Sequence, residues 1–376
     1  MSLLALMVSV GTFAKQAEVD GICYDLNSET KEATVIAKDD KSYKVVIIPS
    51  SVTFGSQTYS VTSIGKEAFS NCYLTSITIP ESVTSIGDKA FQSCTGLTSI
   101  TIPESVTSIG VNVFIGCKGL ISIRVETGNT VYDSRENCNA IIETSSNTLI
   151  TGCKNTVIPN SVTSIANEAF SNCNNLTSVT IPESVTNIGE MAFLNCLGLT
   201  SITIPNSVTS IEEKTFYYCN NLTSVTNLAI TPQDIAAETF SIYETLHVLP
   251  GCKAAYEAAE NWRNFTIVED AKAEPKAIAK AIMELINSIG KVEKTEACKT
   301  KIEAARAVYD ALSKEHQALV KNYNILVEAE DAYKKLSAPT DITNVNVDST
   351  PKDAKYLENG KIVIIKNGKR FNINGL

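Results

Sequence analysis

The chain has 376 residues, of which 44% are hydrophobic and 19% charged, and its net charge is -9. That length suits two or three folded units. An acidic chain with no Lys/Arg cluster in its repeated region argues against a nucleic-acid partner, and the acidity suits a soluble surface.

Residues 1–14, MSLLALMVSVGTFA, form an apolar run that ends in small residues before Lys15. This is the pattern of a secretory signal core, without its positive leader, and it is too short to span a bilayer. An N-terminal β cap with the first coil is expected over 15–61.

From 62 to 270 the chain repeats itself. LTSITIP occurs at 74–80, 97–103 and 199–205, with LTSVTIP at 176–182. Phe69, Phe91 and Phe114, then Phe170, Phe193 and Phe216, keep one phase, as do Pro80, Pro103, Pro159, Pro182 and Pro205. A fixed period of 23 residues is the mark of a solenoid. Within one copy, Leu97, Ile100 and Ile102 describe a short strand with one apolar side, and Pro103 ends it because proline cannot donate to a ladder. Val106 and Ile109 predict a second short extended piece. VNVFIGC, 111–117, predicts one helical turn with Phe114 and Cys117 inward. One copy cannot bury enough apolar surface to stand alone, so stability belongs to the stack.

Cys94 and Cys117, then Cys173, Cys196 and Cys219, follow the same period, and Cys72 precedes Cys94 by 22 because its copy lost one residue. Equivalent residues in stacked coils lie about 4.8 Å apart with parallel side-chain vectors, whereas a disulfide wants Cβ atoms about 3.8 Å apart and convergent. The spacing therefore favours a ladder of buried thiols, with disulfides and a metal site as the rival readings.

The residues between the inward Leu and Ile point outward in columns. One column is Thr78, Thr101, Arg124, Thr180, Thr203 and Thr226. A second is Ser76, Ser99, Ser122, Ser178, Ser201 and Ser224. Such hydroxyls suit soluble strands as well as they suit recognition. Hot spots favour Tyr, Trp and Arg, so the irregular residues Arg124, Tyr132, Arg135, Tyr217 and Tyr218 are the better candidates for specificity.

LTSITIPESVTSIGDKAFQSC (74–94) resembles the BspA-like leucine-rich repeat of bacterial surface proteins. SRENCNAIIETSSNTLITGCKNTVIP (134–159) resembles that family's hairpin-bearing coil. TLHVLPGCKAAYEAAENWRNFTIVED (245–270) resembles its closing cap, with Trp262 and Phe265 sealing the last coil, and DGICYDL (20–26) its opening strand. Glu126 and Leu228 at proline positions, and Ala166 and Glu212 at glycine positions, depart from the pattern. The resemblance implies a mainly β, irregular leucine-rich repeat solenoid, a non-catalytic role, and attachment to host matrix proteins, other microbes or glycans at the cell surface. A structural envelope component without a specific ligand is the alternative.

After the solenoid, three amphipathic stretches over 273–337 predict a small three-helix bundle, with Thr295 as a cap and Gly290 as a stop. The bundle resembles the helical spacers of bacterial surface proteins, with albumin or sugar binding as the other reading. A Pro/Thr/Asp/Asn-rich linker is expected over 338–353, and a β-meander over 354–376 from two Asn-Gly pairs between alternating strands. His247 and His316 are the 2 histidines, and they sit in different units, so a Ser-His or Cys-His catalytic set is not expected. No phosphate loop or paired-histidine zinc motif occurs, and Glu81, Glu104 and Glu183 recur at one turn as periodic surface acids. No cofactor is expected, and a glycan-active carboxylate pair is the remote alternative.

Overall fold

The computed structural model describes residues 15–269, 275–338, 353–358, 361–366 and 369–373. The expected signal segment 1–14, nearly all of the expected linker and both Asn-Gly pairs lie outside these residues.

An antiparallel meander, Lys15–Val19, Ile22–Asn27 and Glu32–Val35, opens the fold. Alternation puts Ile22, Tyr24 and Leu26 inside. Gln57–Ile64 pairs parallel with Glu32–Val35 and antiparallel with Ser51–Phe54, then hands its ladder to Ser85–Ile86 and Ser108–Ile109. The cap thus feeds the sheet of second, two-residue strands. Its continuation is Ser164–Ile165, Asn187–Ile188 and Ser210–Ile211.

The first strands of the coils line another side. Val45–Ile47 pairs with Ser76–Thr78, and Ser99–Ile102 with Ser122–Val125. Ser201–Ile204, Ser224–Asn227, Thr245–Val248 and Thr266–Val268 form one parallel run. Equivalent repeat positions stand opposite each other, Ile100 against Ile123 and Thr101 against Arg124, which is the register a period of one coil imposes.

The third side differs from expectation. The segment around Phe114 is a chain of turns, not a helical turn. In each of six coils two residues four apart take positive φ: Glu67 and Asn71, Lys89 and Ser93, Asn112 and Gly116, Glu168 and Asn172, Met191 and Asn195, Lys214 and Tyr218. Left-handed residues stop a helix from propagating. They turn alternate N–H groups toward the next coil, where Glu67, Phe69 and Asn71 donate to the carbonyls of Asp88, Ala90 and Gln92. The phenylalanines stack beneath this ladder. Phe69, Phe91 and Phe114 have ring centroids 5.4 and 5.3 Å apart, and Phe170, Phe193, Phe216 and Phe240 are 5.0, 5.3 and 5.1 Å apart. Each offset pair contributes about 0.5–1.5 kcal/mol beyond area burial. Coils approach so closely here that a Cβ on Gly110 would stand 2.5 Å from the Asp88 nitrogen.

The coil at 131–159 carries the hairpin. Tyr132–Asp133, Ala140–Glu143 and Thr148–Gly152 pair antiparallel in order, and Thr148–Gly152 then rejoins the second-strand sheet at Ser164–Ile165. This coil has no turn segment of its own, so the phenylalanine stack breaks between Phe114 and Phe170, and the buried core falls into two clusters there.

The C-terminal cap has helix α1 (Lys253–Ala258). Its Tyr256 hydroxyl donates to the Ala229 carbonyl at 2.7 Å, and the Trp262 indole N–H to the Gln233 carbonyl at 2.7 Å, so both buried polar tips are satisfied. Beyond it run α2 (Pro275–Ser288), α3 (Glu296–Ala311), the four-residue α4 (Lys314–Gln317) and α5 (Tyr323–Ser337). The Thr295 hydroxyl caps α3 by accepting from the Cys298 N–H at 3.1 Å. These helices share one continuous core with the solenoid, through Ile278, Ile282, Val308 and Trp262 among others. Polar contacts join them as well: Asn206 donates to Glu284 at 2.8 Å, and Lys280 reaches Glu183 at 3.3 Å. Asp353–Glu358, Lys361–Lys366 and Lys369–Ile373 form a three-stranded antiparallel meander. No helix of the described residues is long and apolar enough to cross a membrane.

Candidate recognition surface

The outward face of the first-strand sheet is built by the two-residue alternation of each strand. Ile100 and Ile102 turn in at 3% and 0% exposure. Thr78, Thr101, Thr180 and Thr203 are exposed, as is Arg124 at the same repeat position. Thr226 is instead buried at 8%, because the parallel run continues past it into the cap and His247 stands opposite it.

Two apolar residues occupy the same position and escape a search for the LTS pattern. Ile47 pairs with Thr78 and is 72% exposed. Val157, two residues before Pro159, is 71% exposed. Both stand two residues before a proline, Pro49 or Pro159, as the threonines of this column do, and that is the signal that would have found them. Ile121, exposed one position before the strand Ser122–Val125, stands close in sequence to Arg124.

The irregular part of this face is made by the insertion. The Ser134 hydroxyl accepts from the Val125 N–H at 2.9 Å, and the Cys138 carbonyl accepts from the Val157 N–H at 3.0 Å. Segment 134–138 therefore lies between the strand that carries Arg124 and the stretch that carries Val157. Glu136 and Asn137 on it are exposed and take positive φ.

The five irregular candidates do not form one patch. Tyr132 is buried at 7%, and its hydroxyl accepts from the Ile109 N–H at 3.1 Å, which ties the hairpin to the second-strand sheet. Arg135 is half-buried and committed. Its Nε and Nη2 grip both carboxylate oxygens of Asp133 at 2.6–3.0 Å, and Nη1 donates to Asn147 at 2.8 Å and Ser161 at 3.2 Å. The carboxylate raises the guanidinium pKa further above its ordinary value. Tyr217 and Tyr218 follow Phe216 in the turn segment, on another side of the coil from Arg124, with ring centroids 4.4 Å apart. Only Arg124 remains on the sheet face. Sequence periodicity could not separate these sides, because it fixes a residue's place in the coil only where the coil is regular.

The six periodic cysteines lie in two runs beneath the turn segments. Cys94 and Cys117 donate to the carbonyls of Phe69 and Phe91 at 3.0 Å each, and Cys196 and Cys219 to those of Phe170 and Phe193 at 3.1 and 3.0 Å. Each thiol thus reaches the coil before its own. Cys72 is buried against its own turn, with the Ser70 carbonyl at 3.9 Å. Cys173 is only half-buried, and the preceding coil has no Phe carbonyl to accept from it. All of these thiols are free. Burial pushes the Cys72 thiol up to about 11 and Cys173 up to about 12, so both stay protonated at neutral pH. No group of three metal-ligating side chains comes together among the described residues.

A family model described as "BspA type Leucine rich repeat region" matches residues 49–148 and 149–248, with 6 copies. No curated protein matches the chain. Among solved structures, a leucine rich cell surface protein from Faecalibacterium prausnitzii aligns at 22% identity over 69% of this chain and 96% of its own, with a TM-score of 0.40. The pneumococcal vaccine antigen PcpA aligns at 16% identity over 69% and 100%, with a TM-score of 0.37. A leucine-rich repeat protein from Eubacterium ventriosum aligns at 20% identity over 66% and 82%, with a TM-score of 0.39.

Proposed function

The chain belongs to the family of BspA type leucine rich repeat proteins, and from that premise we propose that it is an exported, non-catalytic recognition protein of the cell surface. It binds a host matrix protein, another surface protein or a glycan through the outward face of the first-strand sheet. The observation that carries this reading is the centre of that face. Exposed Arg124, Ile121 and Val157 flank the inserted segment 134–138 there, between rows of small hydroxyls on either side. Repeat proteins recognise partners on such extended stacked surfaces, and an arginine beside apolar side chains is the composition of a binding hot spot. Thr78, Thr101, Thr180 and Thr203 supply the surrounding complementarity.

The test is binding of the full chain to an array of matrix proteins and glycans. Arg124→Ala and Val157→Asp should each weaken the ligand found by about tenfold or more, with the far-ultraviolet circular dichroism unchanged. A ligand whose affinity neither change touches would move the site off this face. A chain that binds nothing on the array would fit a structural role in the envelope instead.

A further inference from the structure

The hairpin-bearing coil lacks a turn segment, and this leaves a cleft of about 660 Å³ on the side of the phenylalanine stack, away from the first-strand sheet. One wall is the turn segment of the preceding coil, with Phe114, Gly116 and Cys117. The other is the turn segment of the following coil, with Phe170, Ser171 and Cys173. Thr151, Gly152 and Cys153 of the hairpin form the floor.

The hydrogen-bond ladder shows what is missing from it. In the regular stack, Lys89, Phe91 and Ser93 donate to the carbonyls of Val111, Val113 and Ile115. The next donors in phase are the N–H groups of Asn112, Phe114 and Gly116, and none of them has a partner among the described residues. Across the cleft, the acceptors in phase are the carbonyls of Asn167, Ala169 and Ser171. Gly152 donates to Ala169 at 2.9 Å, while Asn167 and Ser171 receive nothing. One wall is therefore an open edge of donors at every second residue, and the other is an edge of acceptors whose middle member the hairpin already holds. Only a polypeptide main chain carries carbonyls and N–H groups at that interval on its two sides.

The side chains specify the occupant further. Phe114 and Phe170 lack an aromatic neighbour on the cleft side, but the hairpin covers them: they are 6% and 1% exposed, and a Cβ on Gly152 would collide with the Phe170 ring, so the floor is closed and the main-chain edges above it are what stays open. Glu143 and Glu168 line the cleft, and neither has a cationic partner among the described residues. Ala166, at a position where the regular coils carry glycine, also lines it. At Gly189 a Cβ would meet the preceding turn at 2.6 Å; at Ala166 there is no preceding turn to meet.

We propose that this cleft is a second docking site, separate from the first-strand sheet, which takes a lysine-bearing segment of a partner polypeptide as a surrogate turn. The partner's main chain completes the ladder on both walls, by the same main-chain addition that lets a peptide extend a sheet edge. Its lysine meets Glu143 and Glu168.

The probe is a terminally blocked heptapeptide with the sequence of residues 87–93 and lysine in place of Asp88. Two controls accompany it, one with alanine for both of its lysines and one N-methylated at its phenylalanine. Calorimetric titration into the full reduced chain should show binding that both controls weaken by about tenfold or more. Thr151→Trp fills the floor and should abolish it. Glu168→Gln, a milder change at the rim, should weaken it and flatten its salt dependence. The bound peptide should also slow alkylation of Cys173 but not of Cys23 on the far cap. The proposal is overturned if the parent peptide does not bind. It is equally overturned if the N-methylated control binds as well as the parent, or if folded Thr151→Trp binds undiminished. Protection of Cys173 by a glycan but not by the peptide would assign the cleft to a different ligand class and sink the proposal too. None of these outcomes depends on whether Arg124 or Val157 binds anything.

Discussion

A single phenylalanine in this chain is stabilised from two sides at once. Phe91 is wholly buried and stacks on Phe69 and Phe114. Phe91→Ala should cost about 3–5 kcal/mol, read from the denaturant midpoint, because stacked coils leave no side chain free to collapse into the hole. The thiols beneath it should give the protein a pH limit. Burial raises Cys72 and Cys138 from the ordinary thiol value of 9.0 to about 11, and Cys173 and Cys252 to about 12. A thiol raised in the folded state holds its proton there after the unfolded chain has released it. Its contribution is therefore complete below pH 9.0 and lost as pH climbs toward the folded values. The melting temperature in reductant should hold steady to about pH 8 and fall between 9 and 11, by less in Cys138→Ala. Alkylation after denaturation without reductant should find all 11 cysteines free.

At the scale of one element, the inserted hairpin depends on a single arginine. Arg135 reaches Asp133, Asn147 and Ser161 together and so fastens both ends of the insertion to the next coil. Arg135→Ala should lower stability by about 1–2 kcal/mol. Arg135→Lys should recover little of it, because a point ammonium cannot make the forked grip on a carboxylate. Both effects are read from thermal unfolding, with Thr101→Ala as a neutral control. The sequence marks Arg135 and Tyr132 as irregular, but irregularity has two causes. Here the residues that break the repeat mostly fasten the insertion, and only Arg124 faces solvent on the sheet. The turn segments mislead in a similar way. A spacing of three residues between Phe114 and Cys117 fits a helix, and it fits a pair of turns joined by an i to i+3 hydrogen bond equally well. Backbone handedness at Asn112 and Gly116 decides between them, and residue identity announces only the glycine.

Over the whole molecule, the helical unit is part of the solenoid's core, not a separate bead. Ile278 and Ile282 of α2 lie in one buried cluster with Trp262 and Leu246 of the cap, and the Ala307 carbonyl of α3 would stand 3.1 Å from a Cβ on Gly251. Calorimetry should therefore show the helices and the C-terminal half of the solenoid melting in one transition. Ile282→Asp should shift that transition down as a unit, since a charge buried without a partner disrupts the shared core. Two resolved transitions, with only the helical one shifted, would mean that the interface contributes little.

Sequence alone determined the period, the inward Leu, Ile and Phe columns, and the prolines that end each strand. Each of these follows from side-chain patterning within one coil, which repetition makes audible above local noise. Tertiary structure alone decided which irregular residues face solvent, and that the hairpin coil leaves two open ladder edges facing each other. It also decided that the helices close over the cap. Those features arise between coils, from what a neighbour supplies or fails to supply, and no pattern inside one copy records its neighbour's absence.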